Sequence, residues 1–171
     1  MTCGFNLRNE LMKEHSKTQC NKIVKWVGSS QERFDRLFDI FLHDEYRAVQ
    51  YAAWPISYTV IAHTELMKRH FSELLKNLRK PGIHDSVKRN SVRLLEQIEI
   101  PKRYQGEVMD ICFHFIASSS EAIAVKAFSI TVLENLAKIY PEILPELKLS
   151  IETNIPKPSA AIKVRTRRIL L

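Results

Sequence analysis

The sequence predicts an all-α protein: a right-handed α-α superhelix of about four helix pairs behind an N-terminal helical cap over residues 1–28, with residues 1–171 forming one domain. Three observations carry this expectation. A segment opening on valine recurs as VQYAAWPI from Val49, VKRNSVRL from Val87, VKAFSITV from Val125 and VRTRRILL from Val164, at spacings of 38, 38 and 39 residues. Each valine is followed by Gln, Lys, Lys or Arg, and five places on stands a large apolar residue: Trp54, Val92, Ile130 or Ile169. Between these segments lie apolar quartets at helical spacing: Phe34, Leu37, Phe38, Phe41, then Phe71, Leu74, Leu75, Leu78, then Met109, Cys112, Phe113, Ile116. A fourth, Leu147, Ser150, Ile151, Asn154, is degraded. Apolar residues at i, i+3, i+4, i+7 mark one buried helix face, and a fixed period of this size marks a stack of helix pairs. The third observation is punctuation, because Gly28, Pro81-Gly82, Pro101 and Pro141 all fall between the periodic segments.

Taken in order, one or two helices precede Gly28, and helices follow near 30–42, 44–62, 64–79, 84–99, 102–117, 121–139, 142–154 and 159–170. Gly28 stops a helix, and Ser29 with Glu32 reads as the capping box of the next. His43-Asp44 and His84-Asp85 lie at turns, where the aspartate is expected as an N-cap. Ser118-Ser119-Ser120 before Glu121 supplies another cap. Pro55 sits inside the second repeat helix and removes a backbone donor, so a kink near Ile56 is expected. The kink either curves the helix around the core or aims Trp54 and Tyr58 at a ligand surface.

Composition narrows the chemistry. At 45% hydrophobic and 26% charged residues the chain is globular, and no apolar run is long enough for a membrane helix. The first ten residues lack the order of a signal peptide, so a cytoplasmic protein is expected. Cys3, Cys20 and Cys112 show no metal-ligand spacing and read as free thiols. Only four glycines leave no room for GxGxxG or GxxxxGK[ST], which excludes the usual nucleotide cradles. Six histidines form no HExxH, and GxSxG is absent. No catalytic residue, metal or cofactor is assigned. The net charge of +7 favours an anionic partner such as nucleic acid, an acidic protein or a membrane surface.

Paired helices of this period whose second member opens on Val-Arg or Val-Lys resemble HEAT repeats, over roughly Ser29 to Leu171. The alternative is repeats of the armadillo type. In HEAT proteins an aspartate before the Val-Arg pair joins the basic residue in a ladder between repeats. Asp44 is placed for this before Val49, whereas later repeats offer Asp85 and Glu121. KIVKWVG, Lys22 to Gly28, looks like the cap over the first repeat. Some HEAT-like proteins are DNA glycosylases that remove alkylated bases with tryptophans and an aspartate; Trp26, Trp54, Tyr58, Asp85 and Asp110 are the residue types present here, without a residue-by-residue match. The adenylosuccinate lyase signature, a serine loop running into MPxKxN, is not met: Ser118-Ser119-Ser120 runs into Glu121-Ala122-Ile123.

The resemblance implies a non-enzymatic scaffold that binds a protein or peptide on a concave face, with Trp54, Tyr58, Arg89 and Arg93 as contacts. The second helices also carry a basic stripe that includes Arg47, Lys88, Lys126, Arg165 and Arg168, which would suit a nucleic-acid backbone in a nucleic-acid-binding relative or a diverged glycosylase. Gln50, Lys88, Lys126 and Arg165 occupy equivalent places and form either an internal polar ladder or a row of phosphate contacts. The oligomeric state is open; Leu170 and Leu171 are expected to pack on the preceding helix pair.

Overall fold

The computed structural model describes residues 5–167 and 169, and among these it contains helices and no strand. Two compact units divide the chain, residues 1–94 and 95–171. The first holds α1 (Leu7–Lys13), α2 (Lys17–Val27), α3 (Gln31–His43), α4 (Tyr46–Ala62), a 3-10 turn (Thr64–Met67) and α5 (Phe71–Leu78). Helix α6 (Asp85–Gln97) begins in the first unit and ends in the second. The second holds α7 (Lys102–Ala117), α8 (Ile123–Ala137), a 3-10 turn (Pro141–Ile143), α9 (Leu144–Asn154) and α10 (Ala160–Thr166). No described helix is long and apolar enough to cross a membrane.

In the first unit α3 packs against its neighbour in sequence, α4, and α1 and α2 also pack on α4. The quartet Phe34, Leu37, Phe38, Phe41 is fully buried, as is Phe71, Leu74, Leu75, Leu78. Burying each such side chain contributes about 1.5–3 kcal/mol, so these two stripes dominate the packing energy. Helix α4 is apolar on most of its circumference, burying Ala48, Ala52, Ala53, Ile56 and Val60, and it runs through Pro55 without a break. Small side chains let its backbone sit close to three neighbours at once.

The second unit centres on α8, which packs against α7, α9 and α10. Its valine segment points inward as the repeat requires, with Val125 and Ile130 buried. Half of the expected α7 quartet is buried: Cys112 and Ile116 face inward as expected, whereas Met109 and Phe113 are partly exposed and Val108, Ile111 and Phe115 are buried in their place. Two overlapping apolar stripes run along this helix, and packing against α8 and α9 selects between them.

The helix ends depart from the sequence reading in four places. Ser30, not Ser29, caps α3 by accepting the Arg33 amide, because Gly28 takes the left-handed φ of 51° and one residue more is spent in the turn. Asp44 closes α3 and accepts the Glu45 amide, leaving Glu45 as the N-cap of α4. His84, whose Nδ1 accepts the Ser86 amide at 3.0 Å, caps α6 in place of Asp85. The three serines do not cap α8, whose cap position is Ala122; Ser118 instead terminates α7 and its hydroxyl pairs with Ser120. The expected helix 64–79 is also split. His70 packs on the Phe38 ring at 4.4 Å, and its Nε2 lies 2.6 Å from Asp35 of α3, which anchors the turn before α5.

Candidate functional site

Helix α4 places Arg47, Tyr51, Trp54 and Tyr58 on one stripe, since residues three and four apart share a helix face. The Arg47 guanidinium lies 5.4 Å from the Tyr51 ring centroid and donates to the Tyr51 hydroxyl through Nε at 3.3 Å and Nη2 at 3.2 Å. His15, from the loop joining α1 to α2, stacks on Tyr51 at 4.6 Å and 6°, and meets Trp54 edge-on at 5.6 Å. Trp54 in turn contacts Tyr58 edge-on at 6.2 Å. Arg93 of α6 closes the row, 4.7 Å over the Tyr58 ring, with Nη2 donating to the Tyr58 hydroxyl at 3.3 Å. The result is a continuous line: guanidinium, phenol, imidazole, indole, phenol, guanidinium.

The Tyr51, Trp54 and Tyr58 rings are half-buried and His15 and Arg47 are exposed, so the row is backed by the helix yet open to a ligand. Among the described residues neither Arg47 nor Arg93 meets a carboxylate; their donors are spent on tyrosine hydroxyls. Tyr58 accordingly has its pKa lowered below the ordinary 10.0, first by the bond from Arg93, then by one from Trp54. His15 is pushed below its ordinary 6.5, first by partial removal from water and then by the positive charge of Arg89. The site therefore favours neutral imidazole and bears its positive charge at the arginines. Beneath it, burial raises the Cys20 thiol to about 12, which makes it an inert apolar floor.

The structure thus brings together Arg47, Trp54, Tyr58 and Arg93 of the sequence-predicted residues, with the exposed Arg89 nearby on α6. Lys88 is half-buried on α6 and has an interaction partner. Lys126 is buried in α8 rather than exposed on a row. Arg165 of α10 lies 4.8 Å over the Phe128 ring and donates to Glu96 at 2.8 Å and to the Thr131 hydroxyl, so its fork serves the second unit's own packing. Arg168 lies outside the described residues. Asp85 is exposed in the first turn of α6, and Asp110 is exposed on α7. Asp44, expected in a ladder with the repeat's basic residue, is held instead by Arg8 of α1, with Nε donating at 3.0 and 3.2 Å.

Two members of the row were not anticipated. Tyr51 could have been found, since it stands four after Arg47 and three before Trp54. His15 carries no such signal, because only the folding of α1 and α2 onto α4 delivers it. Among the described residues no group of three or more His, Cys, Asp or Glu side chains is placed to hold a metal ion.

No curated protein and no solved structure matches this chain. The family model of the HEAT repeat domain matches residues 7–171, which includes every member of the aromatic row and both units. The chain belongs to the HEAT repeat domain family.

Proposed function

We propose that residues 1–171 act as one cytoplasmic, non-enzymatic binding module that takes a protein or peptide partner on the arginine-aromatic row of α4 and α6. The observation that carries this reading is the unbroken contact from Arg47 through Tyr51, His15, Trp54 and Tyr58 to Arg93. Trp, Tyr and Arg dominate the energetics of protein interfaces, and rings already locked by their neighbours lose little freedom on binding. Helical repeats commonly present such side chains from one helix of each pair.

A second reading has its own support. Arg47 and Arg93 lack carboxylate partners among the described residues and the chain carries +7, which suits a nucleic-acid backbone, and in its strongest form a diverged alkylation-repair glycosylase. Fluorescence anisotropy of labelled duplex DNA, single-stranded DNA and RNA separates the two when run at about 50 and about 150 mM salt, because counterion release makes phosphate binding steeply salt-sensitive. Sub-micromolar binding that falls steeply with salt, and is lost when Arg89 and Arg93 become Glu, establishes the second reading; a glycosylase assay on alkylated DNA then follows. The first reading holds if nucleic acids fail to bind at low salt and a captured partner loses about tenfold or more in affinity on Trp54→Ala or Tyr58→Ala with little salt dependence.

A further inference from the structure

A second cluster lies at the start of the chain, away from the α4 row. A pocket of about 730 Å3 opens between the first turn of α1, the end of α2 and α3, lined by Phe5, Arg8, Trp26, Arg33, Arg36 and Ile40 among others. Phe5 stacks on the Trp26 indole at 4.5 Å and 12°. The guanidinium groups of Arg33 and Arg36 stand over the same indole at 5.2 and 5.6 Å, and Arg33 is pinned by donating Nη1 to the Trp26 carbonyl at 2.7 Å.

The charges in this pocket do not balance. Arg8 is committed to Asp44 and Glu45, and Asp39, the one acid lining the pocket, pairs with His43 at 3.0 Å. Among the described residues Arg33 and Arg36 have no carboxylate partner. Two like charges held over one ring repel each other, and an anion between them removes that repulsion. An arginine laid against an aromatic face keeps its N–H edge free, and that planar fork matches the oxygens of a phosphate. The pocket volume lies in the range of small-molecule sites, and Phe5 and Ile40 supply apolar wall for an organic group.

We propose that Arg33 and Arg36, aligned by the Trp26 indole, bind the phosphate of a small organic phosphate monoester in this pocket. Only two tryptophans are present, so Trp54→Phe leaves Trp26 as the single indole reporter. The experiment titrates Trp54→Phe protein with phenyl phosphate, inorganic phosphate and phenol, reading indole fluorescence, and repeats phenyl phosphate on the unsubstituted protein by calorimetry. The expected result is a saturable change with phenyl phosphate, competition by inorganic phosphate and no response to phenol. Arg33→Gln/Arg36→Gln and Arg36→Gln alone should weaken binding, the double variant by about tenfold or more, while helical circular dichroism is retained. Arg33→Lys/Arg36→Lys, which keeps the charge without the fork, should fall between.

Absence of a saturable change, equal affinity in the folded double Gln variant, or equal binding of phenol overturns the proposal. Tighter binding of a phosphoserine peptide than of phenyl phosphate, by about tenfold or more, overturns the small-ester assignment. Because none of these residues belongs to the α4 row, this site and the scaffold reading stand or fall separately.

Discussion

Arg8 of α1 reaches across to Asp44 at the end of α3, with its Nε 3.0 Å from one carboxylate oxygen and 3.2 Å from the other, while its Nη2 donates to Glu45 at 2.6 Å. The bond from Arg8 is the main reason that the Asp44 carboxyl is held below its ordinary 3.8. A carboxyl depressed in the folded state contributes stability at pH above its unfolded value and loses it as pH falls through the folded value. Arg8→Gln should therefore raise the Asp44 pKa, seen by carboxyl NMR titration. The variant should also lose less stability than the parent when acidified below about pH 4.

His15 gives the opposite pH sense. Its folded pKa is lowered, so the folded protein resists protonation, and stability present above about pH 6.5 declines as pH falls toward the folded value. Imidazole NMR titration should place the His15 midpoint below the ordinary 6.5. Thermal melting of His15→Gln should be less sensitive than the parent between about pH 7 and pH 5. A midpoint at or above 6.5 would contradict the stacked geometry.

Arg165 connects Glu96, Thr131 and the Phe128 ring within the second unit, with both charged side chains largely covered. Arg165→Met keeps the stem but leaves Glu96 without its charged donor. Urea unfolding should show a loss of about 1–3 kcal/mol, in the range of a hydrogen bond to a charged group plus an uncompensated acid.

Among the described residues the buried hydroxyls of Ser57 and Thr59 on α4 and Ser91 on α6 have no hydrogen-bond partner. A buried donor without a partner carries its desolvation cost with no return, so apolar replacement of similar shape is nearly neutral or stabilising. Ser57→Ala, Thr59→Val and Ser91→Ala should each change unfolding stability by no more than about 1 kcal/mol, with gains more common than losses.

Glycines separate in the same way. Gly106 is exposed in the second turn of α7 with open space where a Cβ would stand, and Gly106→Ala should stabilise by about 0.5–1 kcal/mol. Gly28 also has room for a Cβ, but its φ of 51° makes Gly28→Ala strained, and the melting temperature should fall.

The repeat was legible where its buried positions keep the period: Val87, Val92, Val125 and Ile130 are buried where the valine segments place them, whereas Val49 and Trp54 are half-buried and Val164 is exposed. The site was legible in part, since the Pro55 kink drew attention to Trp54 and Tyr58 and the basic stripe to Arg47 and Arg93. What escaped the sequence depends on tertiary contact. On α7 Met109 and Phe113 give way to Val108 and Phe115 because two apolar faces overlap and packing on α8 and α9 chooses between them. The caps at Ser30 and His84 shift because each competes with an equally suitable neighbour and one bond decides, whereas Glu45 takes the cap position of α4 without a side-chain bond. His15 and Arg8 contribute to α4 and α3 from more than thirty residues away, a distance over which local pattern is silent.

The first two helices were expected to be a cap over the repeats, and their side chains make them part of the proposed binding surface. His15 supplies the ring between Tyr51 and Trp54, Arg8 neutralises Asp44 and Glu45, and Phe5 and Trp26 wall the second pocket. A chain cut at Ser29, where the periodicity begins, would keep the repeat pattern intact on paper. It would nonetheless expose a gap in the aromatic row, strand two acids and erase the phosphate pocket, so the boundary drawn by repetition is not the boundary of the binding unit.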